Sequence, residues 1–221
     1  MLISQMNTCK MKKLVLPLIL SILFFSCGAE EKLNEKSQNT EEVNDEKTDQ
    51  ESNMGKLPPV YAEIFTNKGK IVVELDPNAA PVTTANFLAY VDEGFYDGTI
   101  FHRVIPNFMI QGGGITPDGE KKETKSPIIL ESDNGLSNKT GTIAMARMRS
   151  PNSATAQFYI NVADNRALDY TPSTPGYAVF GRVIEGMDVV NEIRQVETGM
   201  KYGRPNWPKE DVVIEKITRT E

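Results

Sequence analysis

From residue 58 onward, apolar and polar positions alternate in short runs broken by glycine, proline and asparagine. Val60–Thr66 and Lys70–Asp76 alternate on either side of Asn67-Lys68-Gly69, the pattern of a β-hairpin closed by a glycine-containing turn. Pro81 opens a stretch in which Val82, Ala85, Asn86, Ala89 and Tyr90 recur at spacings of three and four, which predicts a helix ending at Gly94. Strands are predicted at Ile100–Ile105, Phe108–Gln111, Ile128–Leu130, Thr142–Arg147, Phe158–Val162, Ala178–Val183 and Val212–Thr218, and a second helix at Met187–Arg194. Many short strands with only two helices indicate a mainly β fold, a closed antiparallel barrel rather than a parallel α/β sheet.

Upstream of residue 58 the pattern is different. Lys10, Lys12 and Lys13 precede an apolar run from Leu14 to Phe25, short for a membrane-spanning helix, so residues 1–26 read as an export signal. The sequence Phe24-Phe25-Ser26-Cys27-Gly28 resembles a bacterial lipoprotein signal, which implies that Cys27 becomes the acylated first residue and ties the protein to a membrane. An ordinary signal peptide that happens to contain a cysteine is the alternative. From Gly28 to Lys56, nine acidic residues stand against four basic ones with no aromatic side chain, too little apolar area to offset the entropy of ordering. Residues 27–57 are therefore expected to be a disordered tether, reaching on the order of 30 Å at ~5–6 Å × √n. A single folded domain is expected over 58–221.

Composition narrows the chemistry. The net charge of −6 and the lack of a basic cluster within the domain make nucleic acid a poor partner. Cys9 falls in the leader and Cys27 at the anchor, so the domain holds no thiol for a disulfide or a nucleophile. His102 is the only histidine and reads as a structural or partly exposed strand residue; neither a multi-histidine metal site nor a histidine-based triad is expected, and no cofactor is implied. Gly112-Gly113-Gly114 lacks the setting of a phosphate loop and reads as a bulge or turn, and Trp207, between Pro205 and Pro208, as a loop anchor.

The densest signal is FHRVIPNFMIQGGG at 101–114, where one cation, Arg103, stands among apolar residues and is followed by the amide Gln111 and three glycines. Arg103, Phe108, Met109 and Gln111 keep the order and spacing of the active-site strand of cyclophilin-type peptidyl-prolyl cis-trans isomerases. GTIAMARM at 141–148, QFYINVADNRALD at 157–169 and GYAVFGRVIEGMDVVNEI at 176–193 also resemble that family, in its chain order. The resemblance implies a closed eight-stranded antiparallel barrel capped by two α-helices. It implies isomerisation of X-Pro bonds in proline-containing polypeptides, with Arg103 as catalytic donor and Gln111 orienting it. Phe108, Met109, Tyr159 and Leu168 would form the proline pocket, with Ala146, Arg147, Gln157 and Tyr177 also touching substrate. On the residues alone, those apolar side chains would read as ordinary barrel packing.

An X-Pro bond turns over a barrier of ~18–20 kcal/mol because rotation breaks amide resonance. At the twisted state the prolyl nitrogen regains a lone pair, so a fixed donor aimed at it favours that state over either planar isomer. The guanidinium of Arg103 is planar, always charged and rich in donors. Ala167 stands where many eukaryotic members have Trp, and Tyr177 where they have His; Tyr159, where Phe is usual, adds a hydroxyl that must find a partner. The expectation is therefore a monomeric isomerase of the bacterial cell envelope, lipid-anchored, periplasmic or surface-exposed, that assists protein folding. Two rivals remain: a proline-peptide-binding chaperone with little turnover, and a hollow barrel enclosing a lipid.

Overall fold

The computed structural model describes residues 55–220, so the export signal, Cys27 and the tether as far as Met54 lie outside the described residues. The chain opens with the expected hairpin, β1 (Val60–Thr66) and β2 (Gly69–Leu75), paired through their whole length. Helix α1 (Pro81–Asp92) follows, then β3 (Thr99–Ile100), β4 (Arg103–Ile105) and β5 (Met109–Gly112). After a long connection come β6 (Thr142–Met145), β7 (Phe158–Asn161), β8 (Val179–Glu185) and α2 (Met187–Ile193). A ribbon of β9 (Thr198–Lys201) and β10 (Arg204–Pro208) precedes the last strand, β11 (Val213–Thr220).

Nine of these strands form one antiparallel sheet in the order β3-β11-β1-β2-β8-β6-β7-β5-β4. Its two edges, β3 and β4, are consecutive in the chain and separated by Phe101 and His102 alone. Counted as one kinked strand, the run expected at Ile100–Ile105, they complete eight strands around a curled sheet. The break arises where Phe101 N–H turns to the carbonyl of Val212 and Ile100 N–H to that of Ile115.

Alternation along the strands decides what lies inside. Val104, Ile110, Ile160 and Ile143 are opposite one another across β4, β5, β7 and β6, and all are fully buried. Phe87 from α1 enters the same core, with ring centroids 5.3 Å from Tyr96, 5.6 Å from Phe158 and 5.3 Å from Phe180. The interior is thus packed with side chains, as a small barrel requires. The hollow barrel of the lipid-binding alternative is not what this sequence builds.

Helix α1 packs against β11 and α2 against β2. Ala80 gives α1 no side-chain cap. The cap comes instead from Glu131, whose carboxylate accepts from the N–H groups of Val82 and Thr83 at 3.0 and 2.8 Å and from the Thr83 hydroxyl at 2.7 Å. An anion there also meets the positive end of the helix dipole.

Two sequence expectations need correction. Ile128–Leu130 forms no strand and makes one isolated bridge, Ile128 to Ala154, because this part of the connection runs over the surface with Ile129 exposed. Trp207 is not in a loop: it sits in β10, packs with Ile100, Ile115 and Val213, and its indole N–H donates to Asp211 at 3.1 Å. The prolines around it hid the ribbon. It is bent by positive φ at Tyr202 (50°) and Asn206 (60°), and its register slips between Arg204 and Trp207.

Candidate active site

Cross-strand register places the candidate residues on the outer face of the sheet. Arg103 on β4 is opposite Gln111 on β5, Gln111 opposite Tyr159 on β7, Tyr159 opposite Ala144 on β6, and Ala144 opposite Val179 on β8. Directly opposed residues point to the same side, and the neighbouring row, Val104, Ile110, Ile160 and Ile143, points inward. Met109, Ala144, Tyr159 and Val179 form a buried apolar patch here, with Phe108, Ala146, Leu168 and Tyr177 packed over it.

The result is a small open pocket of about 120 Å³ walled by Arg103, Phe108, Met109, Gln111, Ala146, Arg147, Tyr159, Leu168 and Tyr177. Leu168 arrives on a 3-10 turn, Arg166–Leu168, whose carbonyl at Leu168 accepts from Tyr177 N–H at 2.9 Å. Ala167 on that turn is exposed. Gln157 is the one candidate outside the pocket wall; it lines an adjoining depression and accepts a hydrogen bond from Gln111 Nε2 at 2.9 Å.

Arg103 is half-buried at the pocket rim. Its Nη1 donates to Gln111 Oε1 at 3.3 Å and touches Met109 Sδ at 4.0 Å, and the guanidinium lies 5.8 Å from the Phe108 ring centre. The relay Arg103, Gln111, Gln157 fixes the cation through neutral amides, so its charge is not cancelled by a carboxylate: Arg103 makes no ion pair among the described residues. Arg147 is used differently. Its Nε and Nη2 both donate to the Gly176 carbonyl, at 2.9 and 2.7 Å, while the guanidinium stacks 4.4 Å from the Tyr177 ring centre. It therefore holds a pocket wall, with its fork turned to the backbone. Ala146 N–H is already given to Gln157 O at 2.9 Å.

The extra hydroxyl of Tyr159 finds a protein partner, donating to Asn138 Oδ1 at 2.7 Å. Burial, with Tyr177 and Asp169 adding to it, pushes its pKa far up, so it remains a neutral donor. Asn138 is fully buried and gives its Nδ2 to Asp169 at 3.0 Å and to Leu168 O at 3.2 Å. Asn161 and Asn165 continue the network, Asn165 Nδ2 reaching Asn161 Oδ1 at 2.6 Å and Phe108 O at 2.7 Å. Burial opposes the Asp169 charge, yet hydrogen bonds from Asn138 N–H, Ser137 and Asn138 Nδ2 outweigh it and lower the carboxyl below its ordinary value. This polar layer braces Phe108 and Leu168 from behind.

A cleft with apolar walls and a planar cation, Arg103, that no carboxylate pairs among the described residues can hold a proline ring and present a donor to its nitrogen, while the other guanidinium, Arg147, is turned to the backbone. The comparisons with known proteins agree with that chemistry. Residues 61–219 match the family model of cyclophilin type peptidyl-prolyl cis-trans isomerases.

The chain belongs to the cyclophilin family.

It is 58% identical over 156 residues to a peptidyl-prolyl cis-trans isomerase of Streptomyces antibioticus, covering 69% of this chain and 94% of that one. Isomerase B of Escherichia coli K12 is 52% identical over 159 residues, 71% of this chain and 97% of its own. A crystal structure of a cyclophilin-type isomerase from Cryptosporidium parvum superposes with a TM-score of 0.62 at 26% identity, over 74% of this chain and 99% of that one. The protein is accordingly a peptidyl-prolyl cis-trans isomerase, a member of a family that binds proline-containing peptides.

Some of this cyclophilin's site was not legible residue by residue. Asn138, Asn161, Asn165 and Asp169 carry no spacing signal, since their partners lie up to 57 residues away. Gly114 had a readable cue in the glycine run: a Cβ there would lie 2.7 Å from Gln157 Cγ, so a side chain would displace the last member of the amide relay.

Proposed function

We propose that the X-Pro bond twists over Arg103, with the proline ring seated against Phe108, Met109, Tyr159 and Leu168. The observation that carries this reading is the position of the Arg103 guanidinium, held by Gln111 at the rim of the pocket and paired with no carboxylate among the described residues. In the twisted state the prolyl nitrogen becomes a hydrogen-bond acceptor, and a donor fixed beforehand stabilises that state selectively. Gln111 positions the donor, and the backbone around Ala146 and Arg147 grips the chain preceding the proline. Gln157 and Tyr177 complete the contacts.

Arg103→Ala should lower kcat/KM on a proline tetrapeptide by on the order of 10²–10³, the usual effect of removing one preorganised donor. Lys should rescue poorly because a point ammonium cannot reproduce the planar fork. The melting temperature should stay near wild type, since Arg103 is half-buried at the rim and its contacts are to Gln111, the Met109 sulfur and the Phe108 ring rather than within the main core. Turnover close to wild type in a stable Ala variant would overturn the assignment. Turnover also decides against a proline-binding chaperone, which would hold the same peptides without isomerising them.

The cellular setting is part of the same proposal: a monomeric lipoprotein of the bacterial envelope, acylated at Cys27, acting on X-Pro bonds of proteins in that compartment. The charged leader, the apolar run Leu14–Phe25 and the acidic segment after Cys27 support it.

A further inference from the structure

Beside the proline pocket lies a larger depression of about 350 Å³, and Arg103 belongs to the walls of both. Gln157, the end of the amide relay, also faces it. Three of its wall residues are cations, Arg103, Lys121 and Arg204, and among the described residues no carboxylate lines it. None of the three makes an ion pair among the described residues. Nearby cations behave otherwise: Lys201, on the same ribbon as Arg204, is held by Asp211 at 3.0 Å, and Lys209 by Glu197 at 2.8 Å.

Arg204 is fixed in place, its Nη1 donating to Gly119 O at 3.2 Å and its guanidinium 5.9 Å from the Trp207 ring centre. Lys121 is exposed and bridges to Ile115 through the backbone. The carboxylates of the intervening turn, Asp118 and Glu120, are exposed and outside the wall, and Asp118 is engaged by the Thr116 hydroxyl. In a chain of net charge −6, such a concave group of unneutralised cations concentrates a positive field.

We propose that Lys121 and Arg204 form a specificity subsite for a carboxylate side chain carried by the substrate polypeptide within about three residues of the isomerised proline. An extended chain advances ~3.3–3.6 Å per residue, so a chain seated in the proline pocket reaches the adjoining wall within a few residues. The subsite rests on the proposed seating of the proline against Phe108 and Met109. It is open and built from surface cations that join the proline pocket at Arg103, which suits a side chain delivered by the same polypeptide more than a free anion. Partly exposed pairs gain modestly, so the selectivity expected is about three- to tenfold.

The test is a set of blocked peptides with one proline and Glu, Gln or Lys at each of the three positions on either side. Both kcat/KM and binding by fluorescence anisotropy are measured at about 0.01 M salt, where the Debye length is ~30 Å. Wild type should favour Glu over Gln by about three- to tenfold at one or more positions, with Lys poorest. Near 1 M salt, with a Debye length of ~3 Å, the preference should collapse. Arg204→Gln should reduce it and Lys121→Glu should reverse it, the latter at an exposed position that cannot upset folding. Lys216→Gln, whose ammonium lies over Phe65 away from this wall, should keep it. Equal values for Glu and Gln at all six positions, or a preference that survives both variants, would overturn the subsite. Loss of turnover on every peptide would instead indict the seating of the proline, while the anisotropy series would still report the charge preference.

Discussion

His102 shows how much one residue's chemistry depends on what packs over it. As the only histidine it invites a catalytic role, yet it is 6% exposed, lies 6.1 Å from Trp207 ring to ring, and its Nδ1 has no hydrogen-bond partner. Burial, and then the positive charge of Arg204, lower its pKa to about 4, with Arg103 adding and a hydrogen bond to the Ile100 backbone opposing. The folded protein therefore holds neutral imidazole, and acid favours the unfolded chain, where the value returns to 6.5. The contribution is full above pH 6.5 and lost as pH falls toward 4, about 3 kcal/mol in all. Urea unfolding at stepped pH should show that loss in wild type and a much flatter profile in His102→Gln between those limits. Imidazole resonances of the lone histidine should titrate near pH 4, and a midpoint near 6.5 in the folded state would contradict its burial. Asp169 acts in a separate window, its lowered carboxyl withdrawing stability only as pH falls below the ordinary carboxylate range. The sequence read His102 as structural, and it is, but it lies in the break between β3 and β4 rather than in a strand, and it packs near Trp207, 105 positions away in a ribbon the prolines concealed.

At the level of elements, what could be read was what is local. The hairpin β1–β2 and the start of α1 at Pro81 follow from alternation, a glycine turn and a proline whose missing N–H costs nothing at a helix start. The end of α1 is equally local, since Gly94 takes a positive φ of 63° and returns its N–H to Val91 O at 2.9 Å. The N-terminal cap of α1 and the break between β3 and β4 depend on distant partners, so periodicity is silent on them. Glu131, 48 residues from the N–H of Thr83 that it accepts, is the clearest case. Glu131→Ala should destabilise the protein by about 1–2 kcal/mol, the range for loss of a helix cap with a charged acceptor. Glu131→Gln should recover part of that, because an amide oxygen still accepts but brings no charge to the dipole. Denaturant midpoints with unchanged m-values would measure both; an Ala variant as stable as wild type would mean that water caps α1 equally well. The pocket should feel this only indirectly, because α1 packs Phe87, Leu88, Tyr90 and Val91 into the main core and supplies no residue of the pocket wall.

For the whole molecule, the curl of the sheet makes the site possible. Its two edges, β3 and β4, are consecutive in the chain, and the row Arg103, Gln111, Tyr159, Ala144 rests on an interior layer of fully buried Val104, Ile110, Ile160 and Ile143. That a barrel would form was legible from many short strands; that the functional row faces outward was not, since alternation marks two faces without saying which encloses the core. The segment ahead of the domain bears on where such an isomerase works. Under the proposed lipoprotein reading, Cys27 carries the anchor, and the acidic segment after it gives the domain a reach on the order of 30 Å by the scaling of flexible chains. A single acyl chain binds membranes only marginally, so stable attachment requires several. Intact mass should then show a mature N-terminus at Cys27 carrying multiple acyl groups, and Cys27→Ser should shift the protein to the soluble fraction or leave the leader uncleaved. Isomerase activity per molecule should be unchanged, because the residues of the pocket all lie beyond position 100 and Cys27 supplies none of them. A wild type found soluble, cleaved and unmodified at Cys27 would remove the anchor from the proposal and leave the isomerase intact.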